Sequence, residues 1–358
     1  MTAVRPLGSV TRGAALATAL ALAAASCGRP APAAAPLPPP GVALHVEPAA
    51  DLLPAAGLAW LVAVRPKALS LRAELIPALQ VVLPEQRLDA FAARLGGFDV
   101  RRLDEAVVAG YADSYVFVGI GPVVPEAVER AFASRVQNID GRGLDRAKTE
   151  DGHDREPIVR IWGGPANERQ QLAIFGRQGV ALEMGRFGVL RAVEAFAQEK
   201  LKRASPALRS PSLVRAVAAL GKESDGAPLR AFAPGPFTGE WASGFGGLLA
   251  SATAAAISID VVPGPAPAGS ARLRVRLVLL DPKNDRQDEA TERMSAAFDL
   301  LAQSDLGRLC GLDRPLAKAA VTYDSIGALS LVTDLDALAL ARGVHAATAA
   351  RAEEIMSY

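Results

Sequence analysis

The sequence has few of the side chains from which reactive sites are usually built. It has two Cys, three His and four Met, and only 5% of its 358 residues are aromatic. Two cysteines cannot form a disulfide framework, and a chain of this length buries enough surface to fold without one. A net excess of either charge is also missing: 39 Lys and Arg against 38 Asp and Glu leave +1, too little for a surface that must neutralise phosphates. Nucleic acid is therefore excluded as an expected partner. Gly-x-Ser-x-Gly, Ser-x-x-Lys and a Cys near a His are all absent, so no local nucleophile motif is present. What is abundant is apolar: half of the residues are hydrophobic and 22% charged, a globular composition rich in Ala and in Arg over Lys.

The amino-terminal region has its own grammar. Arg5 and Arg12 precede an uncharged run from Gly13 to Ala25, followed by Ser26 and Cys27. A basic start, a short apolar stretch and small residues are the marks of a secretory signal, and about 13 residues fall short of the roughly 20 that span a bilayer. Residues 1–26 are therefore expected to be removed. Loss of Arg5 and Arg12 with no acid takes the formal charge from +1 to −1. Residues 27–42 are expected to form a tether: Arg29 to Gly41 reads RPAPAAAPLPPPG, with six Pro, a composition that favours extended polyproline II and can hold a domain roughly 40 Å from its attachment point.

Ala24, Ala25 and Ser26 before Cys27 resemble the lipobox of bacterial lipoproteins, with Ala24 where Leu is commonest. The mature part likewise resembles lipoproteins of GC-rich bacteria, a likeness that carries location and no chemistry. The resemblance implies lipidation of Cys27, anchorage in the cell envelope without a spanning helix and, with Gly28 rather than Asp next in line, transport to the outer membrane. An ordinary cut after Ala25 or Ala35 would instead release a periplasmic protein. If Cys27 carries lipid, Cys310 has no disulfide partner and reads as a small buried hydrophobe.

Patterning of the rest predicts an α+β fold: antiparallel sheets with helices mainly on one face. An N-terminal α+β half (43–137) holds a strand at Leu58–Val64, helical spacing from Leu69 to Leu83 interrupted by Pro77, and a helix over 85–95. A hairpin of 107–111 with 115–120 and a helix over 125–136 complete it. The charged stretch 138–156 reads as a loop. A middle segment (157–250) shows three short strands near 158–162, 171–175 and 180–184, then helices near 187–202 and 212–220. A C-terminal half (251–358) shows strands at 254–262 and 271–280, a helix over 285–304 capped by Asn284, strands at 319–323 and 328–332, and a final helix from 334. Gly97-Phe98-Asp99 and Gly311-Leu312-Asp313 each precede a Val eight residues after the Asp, so two similar β-α-β-β-α half-units are an option.

Each candidate site has a plain structural reading that outweighs the chemical one. Trp241 to Ile259 carries no charge but is broken by Gly244, Gly246 and Gly247, which suggests a buried helix passing into a strand rather than a membrane span. Gly119-Ile120-Gly121 has Val124 where a dinucleotide fingerprint needs its third glycine, so it reads as a turn. Asp151, His153, Asp154 and Glu156 match no metal spacing, and Asp281, Asn284, Asp285 and Asp288 read as a turn and helix cap. His45 and His345 have no partner nearby in sequence. No catalytic, cofactor or metal residue is expected. The functional expectation is a noncatalytic binding or structural module of the envelope, meeting an envelope protein or an apolar ligand. The alternatives are a hydrolase with scattered catalytic residues, or a carrier of apolar ligands on an open sheet.

Overall fold

The computed structural model describes residues 44–136, 143–149, 157–164, 169–185, 188–200, 205–267, 269–282 and 287–349. Cys27, the signal segment, the tether, His153 with its acidic neighbours, and Asn284 lie outside them. In chain order the strands are β1 (Leu58–Val64), β2 (Glu105–Tyr111), β3 (Ser114–Ile120), β4 (Asp145–Thr149), β5 (Ile158–Gly163), β6 (Gln170–Phe175), β7 (Gly179–Gly185), β8 (Leu229–Pro234), β9 (Ala254–Val262), β10 (Arg272–Leu280), β11 (Ala317–Tyr323) and β12 (Ala328–Asp336). The helices are α1 (Pro66–Ser70), α2 (Ile76–Val82), α3 (Glu85–Arg94), α4 (Pro125–Arg135), α5 (Val189–Ala197), α6 (Pro211–Leu220), α7 (Gln287–Gln303), α8 (Asp305–Leu309) and α9 (Ala337–Ala349). The fold is α+β with antiparallel pairing, as the patterning predicts.

The chain divides into two compact units. The N-terminal unit takes its described residues from 44–73 and 84–214 and carries the strand order β1-β2-β3-β7-β6-β5-β4. Its helices are shared between the two faces. Glu183 of β7 accepts the Leu190 amide at 2.9 Å and Arg160 of β5 meets Glu194 at 3.0 Å, which sets α5 on the Glu183 face. Arg146, whose register partner is Ile161, bonds Glu129 of α4 at 2.8 Å and so sets α4 on the opposite face. The charged stretch expected to be a loop contributes β4 over Asp145–Thr149, paired with β5. An edge strand tolerates such residues because its side chains reach water, and charge there discourages pairing with other chains.

The C-terminal unit comprises residues 74–83 and, among the described residues, 215–349, with strand order β8-β9-β10-β12-β11. One face of its sheet, through Leu277, Leu279, Leu329 and Leu331, packs on Ala290, Met294, Phe298 and Ala302 of α7 and on Leu248 and Leu249. The last two belong to a short 3-10 helix, Leu248–Ser251, where a buried helix passing into β9 is expected. Phe245, Gly246 and Gly247 have positive φ of 51°, 65° and 83°, and three successive left-handed residues stop any α-helix. Pro77 occupies the first turn of α2, where its missing N–H costs nothing, so the expected interruption is a helix start.

The β-α-β-β-α order expected in both halves is present, but the two stretches pair differently. β2 lies between β1 and β3, whereas β11, its counterpart in that alignment, pairs with β12. A longer recurrence does match in pairing. β1, helices, β2, β3, α4, β6, β7, α5 and β8, 3-10 turns, β9, β10, α7, β11, β12, α9 share one order of elements. Both sheets run first-second-third-fifth-fourth, and the β4–β5 hairpin extends the N-terminal unit beyond that plan.

β12 continues to Asp336 although the sequence pattern starts a helix at 334. The reason is Asp334, whose side chain is 2% exposed and accepts from Arg272 Nε at 2.8 Å and Arg274 Nε at 2.9 Å. Arg274 and then Arg272 hold its carboxyl below the usual carboxylate range. A group with a depressed pKa stabilises fully above its unfolded pKa and loses that contribution as pH falls through the folded one. Asp334→Asn is expected to cost about 2 kcal/mol, less than a fully enclosed pair because Arg274 can turn to water. It should also flatten the stability–pH curve below about pH 4, measured by urea unfolding across pH 2–6.

Candidate functional site

In the N-terminal unit the ends of β2, β3 and β7 form an open cleft of ≈ 470 Å³. Two backbone bonds define that end: the Asp104 amide donates to Ile120 O at 2.9 Å and the Gly121 amide to Gln178 O at 2.8 Å. The chain preceding β1 crosses it in extended form. Leu44 and Val46 are buried and His45 and Glu47 exposed, a period-two alternation. Leu44, Val46, Ile120 and Pro122 supply apolar lining, while His45, Glu47, Asp104, Arg177 and Gln178 supply polar groups. Asp104 is paired with Lys67 at 2.8 Å, both about half exposed, a contact worth at most about 1 kcal/mol.

The equivalent end of the C-terminal sheet repeats the backbone bonds. The Thr253 amide donates to Leu280 O at 2.8 Å and the Asp281 amide to Gly327 O at 2.8 Å. Thr253 therefore corresponds to Asp104, Asp281 to Gly121, Gly327 to Gln178 and Ile326 to Arg177. Here a half-exposed ion pair stands at the strand ends. The segment before β8 is the helix α6, and its Arg215 donates to both carboxylate oxygens of Asp281, at 2.6 and 2.8 Å, and to Ile326 O at 2.9 Å. Thr253 Oγ1 adds a bond to Asp281 Oδ2 at 2.8 Å. Arg215 first, and Thr253 with it, hold the Asp281 carboxyl below its ordinary range. Asp281 has φ +48°, and Gly327 at φ +81° leaves room for it, since a Cβ there would stand 2.8 Å from Asp281 Oδ1.

The residues singled out by sequence separate accordingly. His45 and Gly121 join the cleft, and Asp281 pairs with Arg215 instead of serving only a turn. His345 is exposed on α9. Cys310 is half-buried beside Gly343, where a Cβ would stand 2.6 Å from its Sγ, and burial pushes its thiol up and disfavours the reactive thiolate. No hydroxyl or thiol side chain is among the residues that line the cleft. Among the described residues no group of three or more His, Cys, Asp and Glu could hold a metal ion, and no helix is long and apolar enough to cross a membrane.

A second polar cluster, unmarked in the sequence, lies under α5. Glu183 is 1% exposed, Arg160 stacks over Trp162 at 4.6 Å, and burial pushes the Glu194 carboxyl up although Arg160 and Arg191 pull it down. Tyr111, whose hydroxyl donates to Pro54 O, is raised by burial and by Glu183. With Glu194 of α5 on Arg160 and the Leu190 amide on Glu183, this cluster clamps a helix to a sheet.

Comparison with protein-family models, curated proteins and solved structures finds no match to this chain. Fold and site define a class, an antiparallel α+β protein of two units with one shared order of elements, with a cleft at the strand ends of one and a half-exposed Arg215–Asp281 pair at the matching ends of the other. Gly327→Ala is expected to cost about 1–2 kcal/mol by forcing a side chain into the left-handed region against Asp281. In the Asp281→Ala background the cost should shrink, because the clash is gone; a double-mutant cycle of unfolding free energies measures the coupling.

Proposed function

We propose that the chain is an exported protein of the cell envelope, lipidated at Cys27 and carried to the outer membrane. Its folded part is a noncatalytic binding module that works through the cleft at residues 44–47, 104, 120–122 and 177–178. The cleft is the observation that carries the binding reading: it joins apolar lining to charged and amide groups, the mixture that orients a polar or peptide ligand. Carriage of wholly apolar ligands draws less support from it, because the charged groups in its lining, Glu47, Asp104 and Arg177, would give up their water to a ligand that offers nothing in return. The hydrolase alternative finds a histidine there without a nucleophile beside it. The anchoring half rests on Ala24-Ala25-Ser26-Cys27 and on the Pro-rich segment after it. From Cys27 to Leu44 the chain can reach about 50 Å when extended, so the cleft would lie near the root of its own tether.

Metabolic labelling with a fatty-acid analogue tests the anchor. The full chain should take up label and Cys27→Ala should not. An unlabelled wild-type chain would overturn lipidation, and recovery of both proteins from the cytosol would overturn export.

A further inference from the structure

We infer that α5 is a proton-operated latch on the strip that borders the cleft: a proton on Glu194 seats the helix and holds the strip, and loss of that proton loosens both. The inference rests on the reading of the cleft as the binding site and adds its regulation. The strip reaches the helix through the His45 amide, which donates to Ala197 O at 3.1 Å, and Ala197 is the last residue of α5. Leu44 and Val46, on either side of that bond, are buried. Glu194 stands one turn back from Ala197 on the same side of the helix. Beyond His45 the strip is next fixed by the Ala49 amide, which donates to Glu105 Oε2 at 2.7 Å. A shift of α5 therefore reaches the wall of the cleft through a single backbone bond.

Two carboxyls and one guanidinium lie where α5 meets the sheet: Glu194 from the helix, Glu183 from β7 and Arg160 from β5. Glu183 has a set task, since its Oε2 accepts the Leu190 amide at 2.9 Å at the positive end of the helix. Its Oε1 is buried without a hydrogen bond, and so is Glu194 Oε1, which has Arg160 Nε at 3.0 Å but poorly aligned. Among the described residues Arg160 and the exposed Arg191 are the cations that act on Glu194. α5 also packs on β3, on β6 and on the turn Ala49–Leu52. Neither strand brings a charged side chain, and Asp51 of the turn is taken by Arg209 at 2.7 Å. Tyr111 of β2 donates its hydroxyl proton to Pro54 O and offers Glu183 no charge. An ionised Glu194 thus shares one buried cation with a second acid, and a proton on it removes the imbalance. Burial, outweighing Arg160 and Arg191, pushes the Glu194 carboxyl up. A group whose folded pKa is raised contributes fully below its unfolded pKa, and the contribution is lost as pH rises through the folded one. The seated helix is favoured in acid, and loosening begins above about pH 4, where an unperturbed glutamate titrates.

Hydrogen–deuterium exchange of the full chain from about pH 4 to about pH 8, corrected for the chemical exchange rate and read on peptides covering 44–53 and 188–198, tests the latch without a ligand. Protection of both segments should fall together as pH rises, by at most about tenfold per pH unit, the limit for one proton, and then level off. Protection of β2 and β3 should stay constant. Glu194→Gln should hold both segments at their acid level throughout. Arg160→Gln removes the cation that pulls Glu194 down, so it should move the loss to higher pH, and it decides the matter if Glu194→Gln does not fold. A flat wild-type profile, a slope that survives Glu194→Gln, or an unmoved loss in Arg160→Gln would overturn the inference. So would loosening of 188–198 with 44–53 unchanged, or a parallel loss in β2 and β3, which means global unfolding. Because no ligand enters the experiment, each of these results leaves the binding reading of the cleft standing.

Discussion

The carboxylate of Asp334, held out of solvent between Arg272 and Arg274, is the constraint on which the C-terminal unit depends. A buried charge is tolerated only when its partners are fixed, and these partners lie on the neighbouring strand. Arg274 is the register partner of Asp334, so the pair sets β10 against β12, and a slip by one residue would turn every side chain to the other face. From there the ladder runs on, pair by pair, to Leu280 and Ala328. The positions of Asp281 and Gly327, and hence the seat of Arg215, follow from a contact at the opposite end of the strands.

The two units show how one backbone plan can be finished in two ways. In each, the last strand hands the chain to a helix through a carboxylate: Glu183 accepts the Leu190 amide, and Asp336 accepts the Ala339 amide at 2.6 Å. Acidic groups suit a helix N-terminus because its first amides have no internal partner. Each unit also sends the segment before its first strand across the ends of the second and third. In one unit a helix sets a half-exposed Arg215 there, and in the other the strip Leu44–Glu47 borders the cleft.

Strand and helix positions were largely legible in the sequence because local patterning encodes them. Alternation marks β3, where Ser114, Val116 and Val118 are buried and Tyr115 and Phe117 half-buried, and the spacing of Met294, Ala297, Phe298 and Leu301 marks α7. What misled was local as well. Charge density in 138–156 hid an edge strand, and a charge-free run from Trp241 to Ile259 suggested a helix that successive left-handed residues forbid. The repeat was harder to place, because its frame is defined by hydrogen-bond partners far apart in the chain. The echo of Gly97-Phe98-Asp99 in Gly311-Leu312-Asp313 aligns strands that occupy different places in their sheets.

By itself the sequence determined the class of fold and the order of nearly all elements, since periodicity, turn residues and composition act over a few neighbours. The tertiary structure alone decided that Asp104, Gly121, Arg177 and His45 meet around one cleft, and that Thr253, Asp281, Ile326 and Arg215 meet at the matching place. The physical reason is that strand ends are gathered by register, a property of pairs of distant segments, and no spacing within one segment records it.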